Sequence, residues 1–364
     1  MKHLFMVDNT TLTCDYQPMR TQLKINSAYL NYSVAVHAGS PWTFLRSLLK
    51  NNVLLIDSVI FSANQAEFFD FPEKAILSID ASEHFKTLAG VVRVLDFLVE
   101  NALTKDKKLI IVGGGTLQET GAFASKIYKR GIQWIYFPTT LIAMSDSCIG
   151  GKAGINYAGA KNQLGVFSSP AAIHIFSDFL NTLPETQIRS GLGEILKSCI
   201  IGGDYFLNQY HYFFQRRAFT DLIMIALSIK KTVVEHDEFE KNHRRCLNYG
   251  HTFGHAIEIL SDYKIPHGIA VVLGIQMANK FSYQQRLLSL DCMNKLNTLC
   301  ESLISPTDHQ HFRSIELSSM TPLFHQDKKT VDQHTHFVLI KKPGEIVYAV
   351  VDPLSLHSRG ILQY

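Results

Sequence analysis

Four short apolar runs, each stopping at a polar or glycine-rich step, restrict this chain to few architectures. Val53-Leu54-Leu55-Ile56 ends at Asp57-Ser58, and Ala75-Ile76-Leu77-Ser78-Ile79 ends at Asp80. Lys108-Leu109-Ile110-Ile111-Val112 ends at Gly113-Gly114-Gly115-Thr116, and Trp134-Ile135-Tyr136-Phe137 at Pro138-Thr139-Thr140. Unbroken apolarity, rather than alternation, marks a strand buried on both faces. Helical stretches over 85–101 and 118–129 separate the runs. Strands alternating with helices predict a parallel α/β sheet whose polar strand ends face a ligand crevice. The first fifty residues read as β-rich: Ser33–Ala38 alternates weakly and stops at Gly39-Ser40-Pro41, before a short helix over 42–50.

After about residue 180 the pattern turns mostly helical, with amphipathic helices expected over 222–240 and 270–305. A late hairpin is expected from His336–Ile340 and Ile346–Val351 around Pro343-Gly344. The chain has 364 residues, more than one hydrophobic core usually serves, so two domains are expected: 1–180, α/β, and 181–364, α-helical. A net charge of +3 falls short of a nucleic-acid-binding signature and suits a small anionic ligand better. Six scattered cysteines without a CxxC pair read as reduced thiols of a cytoplasmic protein. No signal peptide is read, and the most apolar run, 269–278, is far shorter than the roughly 20 residues a membrane span requires.

Three segments carry candidate chemistry. Gly113-Gly114-Gly115 lets the backbone approach a pyrophosphate at a helix start, although a tight strand–helix turn accounts for it equally well. Asp146–Asn156, with Gly150-Gly151-Lys152, and Lys161-Asn162-Gln163-Leu164-Gly165 can cradle an oxyanion, or else form an exposed loop with solvated lysines. Glu194 and Lys197 share a helix face, which by itself implies only a surface ion pair. His251 and His255 stand four apart, and His267 follows behind Pro266; such a set can ligate a metal or hold an anion.

The order of these segments resembles the dehydroquinate synthase family of sugar phosphate cyclases. Its carriers run from about Asp80 to Lys329: Gly113–Gly115, Tyr128–Ile132, Pro138–Leu141, Ser145–Ser147, Gly150–Lys152, Lys161-Asn162, Gly193–Lys197, Asn248–Glu258 and Asp327–Lys329. The resemblance implies a Rossmann-like NAD-binding domain, a helical metal- and substrate-binding domain, and an active site between them. It also implies NAD and a divalent metal (zinc or cobalt), with Glu194, His251 and His267 as metal ligands. The NAD positions it implies are Asp57, Glu83, Lys86, Gly114, Gly115, Glu119, Thr139, Thr140, Lys161, Phe179, Thr182, Leu183 and Gln187. The substrate positions are Asp146, Lys152, Asn162, Lys197, Lys230, Arg244, Asn248, His255 and Lys328. Arg130 is implied to reach a neighbouring subunit's phosphate, hence a homodimer.

The implied reaction is a carbon–oxygen lyase step of aromatic biosynthesis, the shikimate pathway: 3-deoxy-arabino-heptulosonate 7-phosphate closes to 3-dehydroquinate with loss of phosphate. It proceeds by transient oxidation, β-elimination, re-reduction and intramolecular aldol closure. Lys152, Asn162, Asn248, His255 and Lys328 would hold phosphate; Arg244 and Lys230 would hold a carboxylate; Lys152, Lys197, Asp146, Asn248, His255 and Glu194 would serve catalysis. Arg244, Asn248, His251 and His255 are spaced for one helical face. Alternatives are a cyclase for sedoheptulose 7-phosphate or an amino analogue, a metal-dependent polyol dehydrogenase, and a non-catalytic relative. The chain departs from the family at Gln118 (commonly Gly), Glu119 (Asp) and Ile269 (Glu), the last removing a partner expected for His267. The first 75 or so residues match poorly.

Overall fold

The structure, a computed structural model, describes residues 2–326, 335–358 and 360–362. It contains two compact units: Met19–Leu183, and Met1–Pro18 together with Pro184–Tyr364.

Met19–Leu183 is built on a seven-stranded sheet. Its order is Gln22–Ile25, Tyr32–His37, Ala172–Phe176, Gln133–Pro138, Lys108–Gly113, Val53–Asp57, Ile76–Ile79. All neighbours are parallel except the first pair. Three of the four apolar runs take interior places, and Leu54, Leu55, Ile56, Ile110, Ile111 and Val112 have no exposed surface. The fourth, Ile76–Ile79, is the edge strand and buries only Ile79, against the expectation of burial on both faces. From Val53–Asp57 the chain moves outward to Ile76–Ile79, then crosses back to Lys108–Gly113 on the other side. That reversal places a crevice beyond the carboxyl ends of two adjacent strands, with Asp57 and Gly113 at its lips.

The glycine- and lysine-rich segment after Asp146, for which the sequence leaves an exposed loop as one alternative, is exposed at its lysines but is regular strand structure. Lys152–Tyr157 and Ala160–Phe167 form an antiparallel hairpin with an irregular register at its tip. Alternation in Lys152–Tyr157 buries Ala153 and Ile155 on one face, a period-2 signal that the glycines mask.

The second unit starts with the N-terminus. Its four-stranded sheet runs Thr335–Lys342, Glu345–Val351, Lys2–Val7, Thr10–Asp15. The first eighteen residues, expected with the N-terminal domain, thus complete a sheet of the C-terminal one. The expected hairpin near Pro343-Gly344 is present. Helices Glu185–Gly202, Phe219–His236 and His267–Gln284 are buried nearly all round, not amphipathic as expected for the latter two. The expected helix over 270–305 is two, broken before Leu290–Glu301, whose N-cap is Ser289. Helices Glu185–Gly202 and His267–Gln284 touch through glycine. A Cβ at Gly193 would collide with the Gly268 carbonyl, and one at Gly268 with that of Ser190. No helix among the described residues is long and apolar enough to cross a membrane.

Candidate metal and nucleotide sites

The close glycine contact brings the next residues of each helix together. Glu194 follows Gly193, and His267 precedes Gly268 as the first residue of its helix. His251 opens a third helix, His251–Leu260. Glu194 Oε1 lies 3.2 Å from His267 Nε2 and 3.5 Å from His251 Nε2. Glu194 is 1% exposed, and among the described residues this Oε1 accepts no hydrogen bond. A buried carboxylate oxygen without a donor, facing two imidazole nitrogens, fits a cation. The three side chains form a cluster able to hold a metal ion.

Lys197 Nζ donates to the other carboxylate oxygen, Glu194 Oε2, at 2.6 Å. Both residues are 1% exposed, so this is a buried ion pair and not the surface pair that spacing alone suggests. Burial would raise the Glu194 carboxyl, but the Lys197, His251 and His267 charges hold it well below its ordinary range. Burial, then the Lys197 ammonium, hold His251 well below the usual imidazole value. Burial also lowers His267, but the neighbouring Glu194 and Glu258 carboxylates outweigh that and push it up to about 10.

Arg244 and Asn248 do not share a helix with His251 and His255, contrary to the spacing argument. His243–Asn248 is a 3-10 turn, and Gly250, at φ 77°, breaks the chain before the helix begins. A Cβ there would meet the Val271 carbonyl at 2.7 Å. Arg244 is 3% and Lys230 6% exposed, two buried cations. Arg244 donates through Nη1 to the Glu238 carbonyl, and its main-chain N–H donates to Asp237 Oδ2 at 3.0 Å. Asn248 Nδ2 donates to Glu240 Oε1 at 3.2 Å, and His255 is exposed. Gln187 lies on Glu185–Gly202. Lys328 lies outside the described residues.

In the other unit, Gly114 is the N-cap of helix Gly115–Ile127, so main-chain N–H groups open onto the crevice. Asp57 caps the next helix by accepting from Val59 N at 2.9 Å, and burial raises its carboxyl. Lys86, 7% exposed, forms an ion pair with Glu119, whose carboxyl is raised by burial against the pull of that lysine. Glu83 accepts from Asn156 Nδ2 at 2.8 Å and from Thr116 Oγ1 at 3.4 Å. Thr139 and Thr140 follow the central strand Gln133–Pro138; Thr140 Oγ1 accepts from Ala143 N. Phe179 packs edge-on against Trp42, Thr182 Oγ1 donates to the Phe179 carbonyl, and Leu183 ends that turn. Asp146 sits in the π-helical turn Ala143–Ser147. Lys152, Lys161 and Asn162 are exposed on the hairpin, and Asn162 takes a left-handed φ of 53°. Arg130, also left-handed, is exposed beside Gly131.

Sequence reasoning gave no role to Glu258, and it noted Gln118 only as a departure from the family. Glu258 accepts from His267 Nδ1 at 3.0 Å, so Ile269, fully buried in the core, does not leave that histidine without a carboxylate. Glu258 stands seven after His251, a same-face spacing that signals it. Gln118, 2% exposed, uses both ends of its amide: Nε2 donates to the Ser147 carbonyl at 3.1 Å, and Oε1 accepts from Ser147 Oγ at 3.2 Å. Nothing local in the sequence announces that clamp on the turn carrying Asp146.

Comparison with known proteins decides the family. Residues 76–190 match the family described as 3-dehydroquinate synthase N-terminal, and 191–330 the one described as 3-dehydroquinate synthase C-terminal. The 3-dehydroquinate synthase of Campylobacter hominis is 33% identical over 313 residues, covering 83% of this chain and 89% of that protein. The chain belongs to the 3-dehydroquinate synthase family. The family's Pelagibacter ubique enzyme is likewise 33% identical, over 90% of this chain and 94% of its own length. A solved structure of 2-deoxy-scyllo-inosose synthase, complexed with carbaglucose-6-phosphate, NAD+ and Co2+, shares the fold with a TM-score of 0.78. It is 21% identical, and the match covers 94% of this chain and 100% of that one.

Proposed function

We propose that this enzyme closes 3-deoxy-arabino-heptulosonate 7-phosphate to 3-dehydroquinate with release of inorganic phosphate, using NAD and a divalent metal, zinc or cobalt. The observation that carries the reading is the Glu194–His251–His267 cluster, with the donorless carboxylate oxygen of the buried Glu194. Family membership supports the reaction class, and the NAD+ and Co2+ of the inosose synthase support the cofactor pair. A divalent ion there supplies Lewis acidity toward a substrate hydroxyl, while NAD supplies a reversible hydride acceptor.

The chain's own groups do the rest. Two imidazoles and one carboxylate leave coordination positions open, the donor count of a catalytic rather than a structural site. Gly114 and Gly115 bring main-chain N–H groups to a pyrophosphate, with Asp57, Glu83, Lys86, Glu119, Thr139, Thr140 and Lys161 among the groups assigned to NAD. Phosphate is assigned to Lys152, Asn162, Asn248, His255 and Lys328. Arg244 and Lys230 are assigned to the carboxylate by their match to the family's positions, the Arg244 guanidinium being suited to a two-pronged grip. Lys197 holds Glu194 charged and in place. A homodimer in which Arg130 serves the neighbouring subunit belongs to the same proposal.

The test is incubation with that acid phosphate, NAD and Co2+ or Zn2+. Phosphate release without net NADH is expected. Net NADH from a polyol, with no phosphate released, overturns the reading in favour of a dehydrogenase. Release from sedoheptulose 7-phosphate but not from the acid moves it to another C7 cyclase.

A further inference from the structure

We infer that Glu258 is a positioning residue for the metal site: it accepts the hydrogen bond of the His267 Nδ1–H and so presents the Nε2 lone pair to the ion. The inference rests on the proposed metal reading and deepens it. His267 has a carboxylate on each side, Glu194 Oε1 at 3.2 Å from Nε2 and Glu258 Oε2 at 3.0 Å from Nδ1. Binding an ion at Nε2 displaces the proton from that atom, and the neutral imidazole left carries one N–H and one lone pair, while an ionised carboxylate only accepts. An N–H directed at Glu258 therefore leaves Nε2 as the ligating atom.

Glu258 is 8% exposed, whereas the His267 side chain keeps about a third of its surface (35%), so packing alone does not fix the ring. The helix His251–Leu260 thus supplies one ligand directly and orients another. The competing possibility is that Glu258 is itself a ligand. His255, Glu258 and His267 also place ligand atoms within 4.8 Å of one another. That second set shares His267, and Nδ1 cannot both donate to Glu258 and bind an ion. The hydrogen bond as observed favours orientation over a second centre.

The experiment measures Co2+ affinity by chelator competition, Co2+ stoichiometry, and the visible spectrum of the bound ion in wild type, Glu258→Ala and Glu258→Gln. Expected are one ion per chain, a 10- to 100-fold weaker affinity with an altered spectrum in Glu258→Ala, and a smaller loss in Glu258→Gln, whose amide oxygen still accepts from Nδ1. Glu258→Gln keeps the side chain's volume, so it decides the matter if Glu258→Ala does not fold. Unchanged affinity and spectrum in the variants overturn the inference, as does a stoichiometry falling from two ions to one. Failure of the wild type to bind Co2+ overturns the metal reading itself.

Discussion

At the scale of single residues, the decisive feature is charge in places water does not reach. Lys197 and Glu194 form a buried pair, so removing Lys197 takes away the largest of the charges that hold the Glu194 carboxylate ionised. Lys197→Met is expected to destabilise the protein by about 3–5 kcal/mol, read by urea denaturation without metal. A surface pair would cost a few tenths of a kcal/mol. Spacing three apart shows that the two side chains meet, not which face of the helix is buried. A second residue-scale prediction concerns the imidazole pair His37 and His174, 3.0 Å apart on neighbouring strands. Burial, then His37, lower His174 to about 4. A histidine depressed in the folded state contributes stability that is full above the free value near 6.5 and is lost as pH falls toward about 4. Thermal stability should therefore drop between pH 7 and 5, and His174→Phe, placed beside Phe44 and Phe137, should flatten that slope.

At the scale of elements, the metal cluster is a product of helix contacts. Glu194 and His267 meet because their neighbours Gly193 and Gly268 have no side chain. Gly268→Ala forces the two helices apart and is expected to cost about 1–3 kcal/mol or more. It should also weaken Co2+ binding, measured alongside denaturation; unchanged affinity would show that the glycine contact does not set the cluster's spacing. The loop before Arg244 is equally determined by one side chain. Asp237 accepts main-chain N–H bonds from Lys241, Asn242 and Arg244, which outweigh burial and keep its carboxyl low. This loop and Gly250 are why Arg244 and His251 belong to different elements, although their spacing suits a single helix.

At the scale of the whole molecule, the chain does not divide at one point. Lys2–Val7 lies inside the sheet of the C-terminal unit, between Glu345–Val351 and Thr10–Asp15. Residues 19–183 expressed alone should fold cooperatively, having their sheet complete. Residues 184–364 alone lack two of four strands and should not; adding residues 1–18 should restore cooperative unfolding followed by circular dichroism. The opposite result would show that the helices alone carry that unit.

Much of the molecule was determined locally and so could be read from the chain. Doubly buried strands, glycine at the strand–helix turn and the order of Glu194, His251 and His267 are patterns of short range in sequence, and their meaning survives without neighbours. What the tertiary structure alone decided depends on partners distant in sequence. The N-terminal strands join the last strands through hydrogen bonds that any extended segment can make. The Lys197 ion pair is buried by other helices, and Glu258, on His251–Leu260, meets His267 only where that helix lies against the start of His267–Gln284. Backbone hydrogen bonding and van der Waals contact carry no residue-specific signature at either end, so these pairings become visible only once the chain has folded.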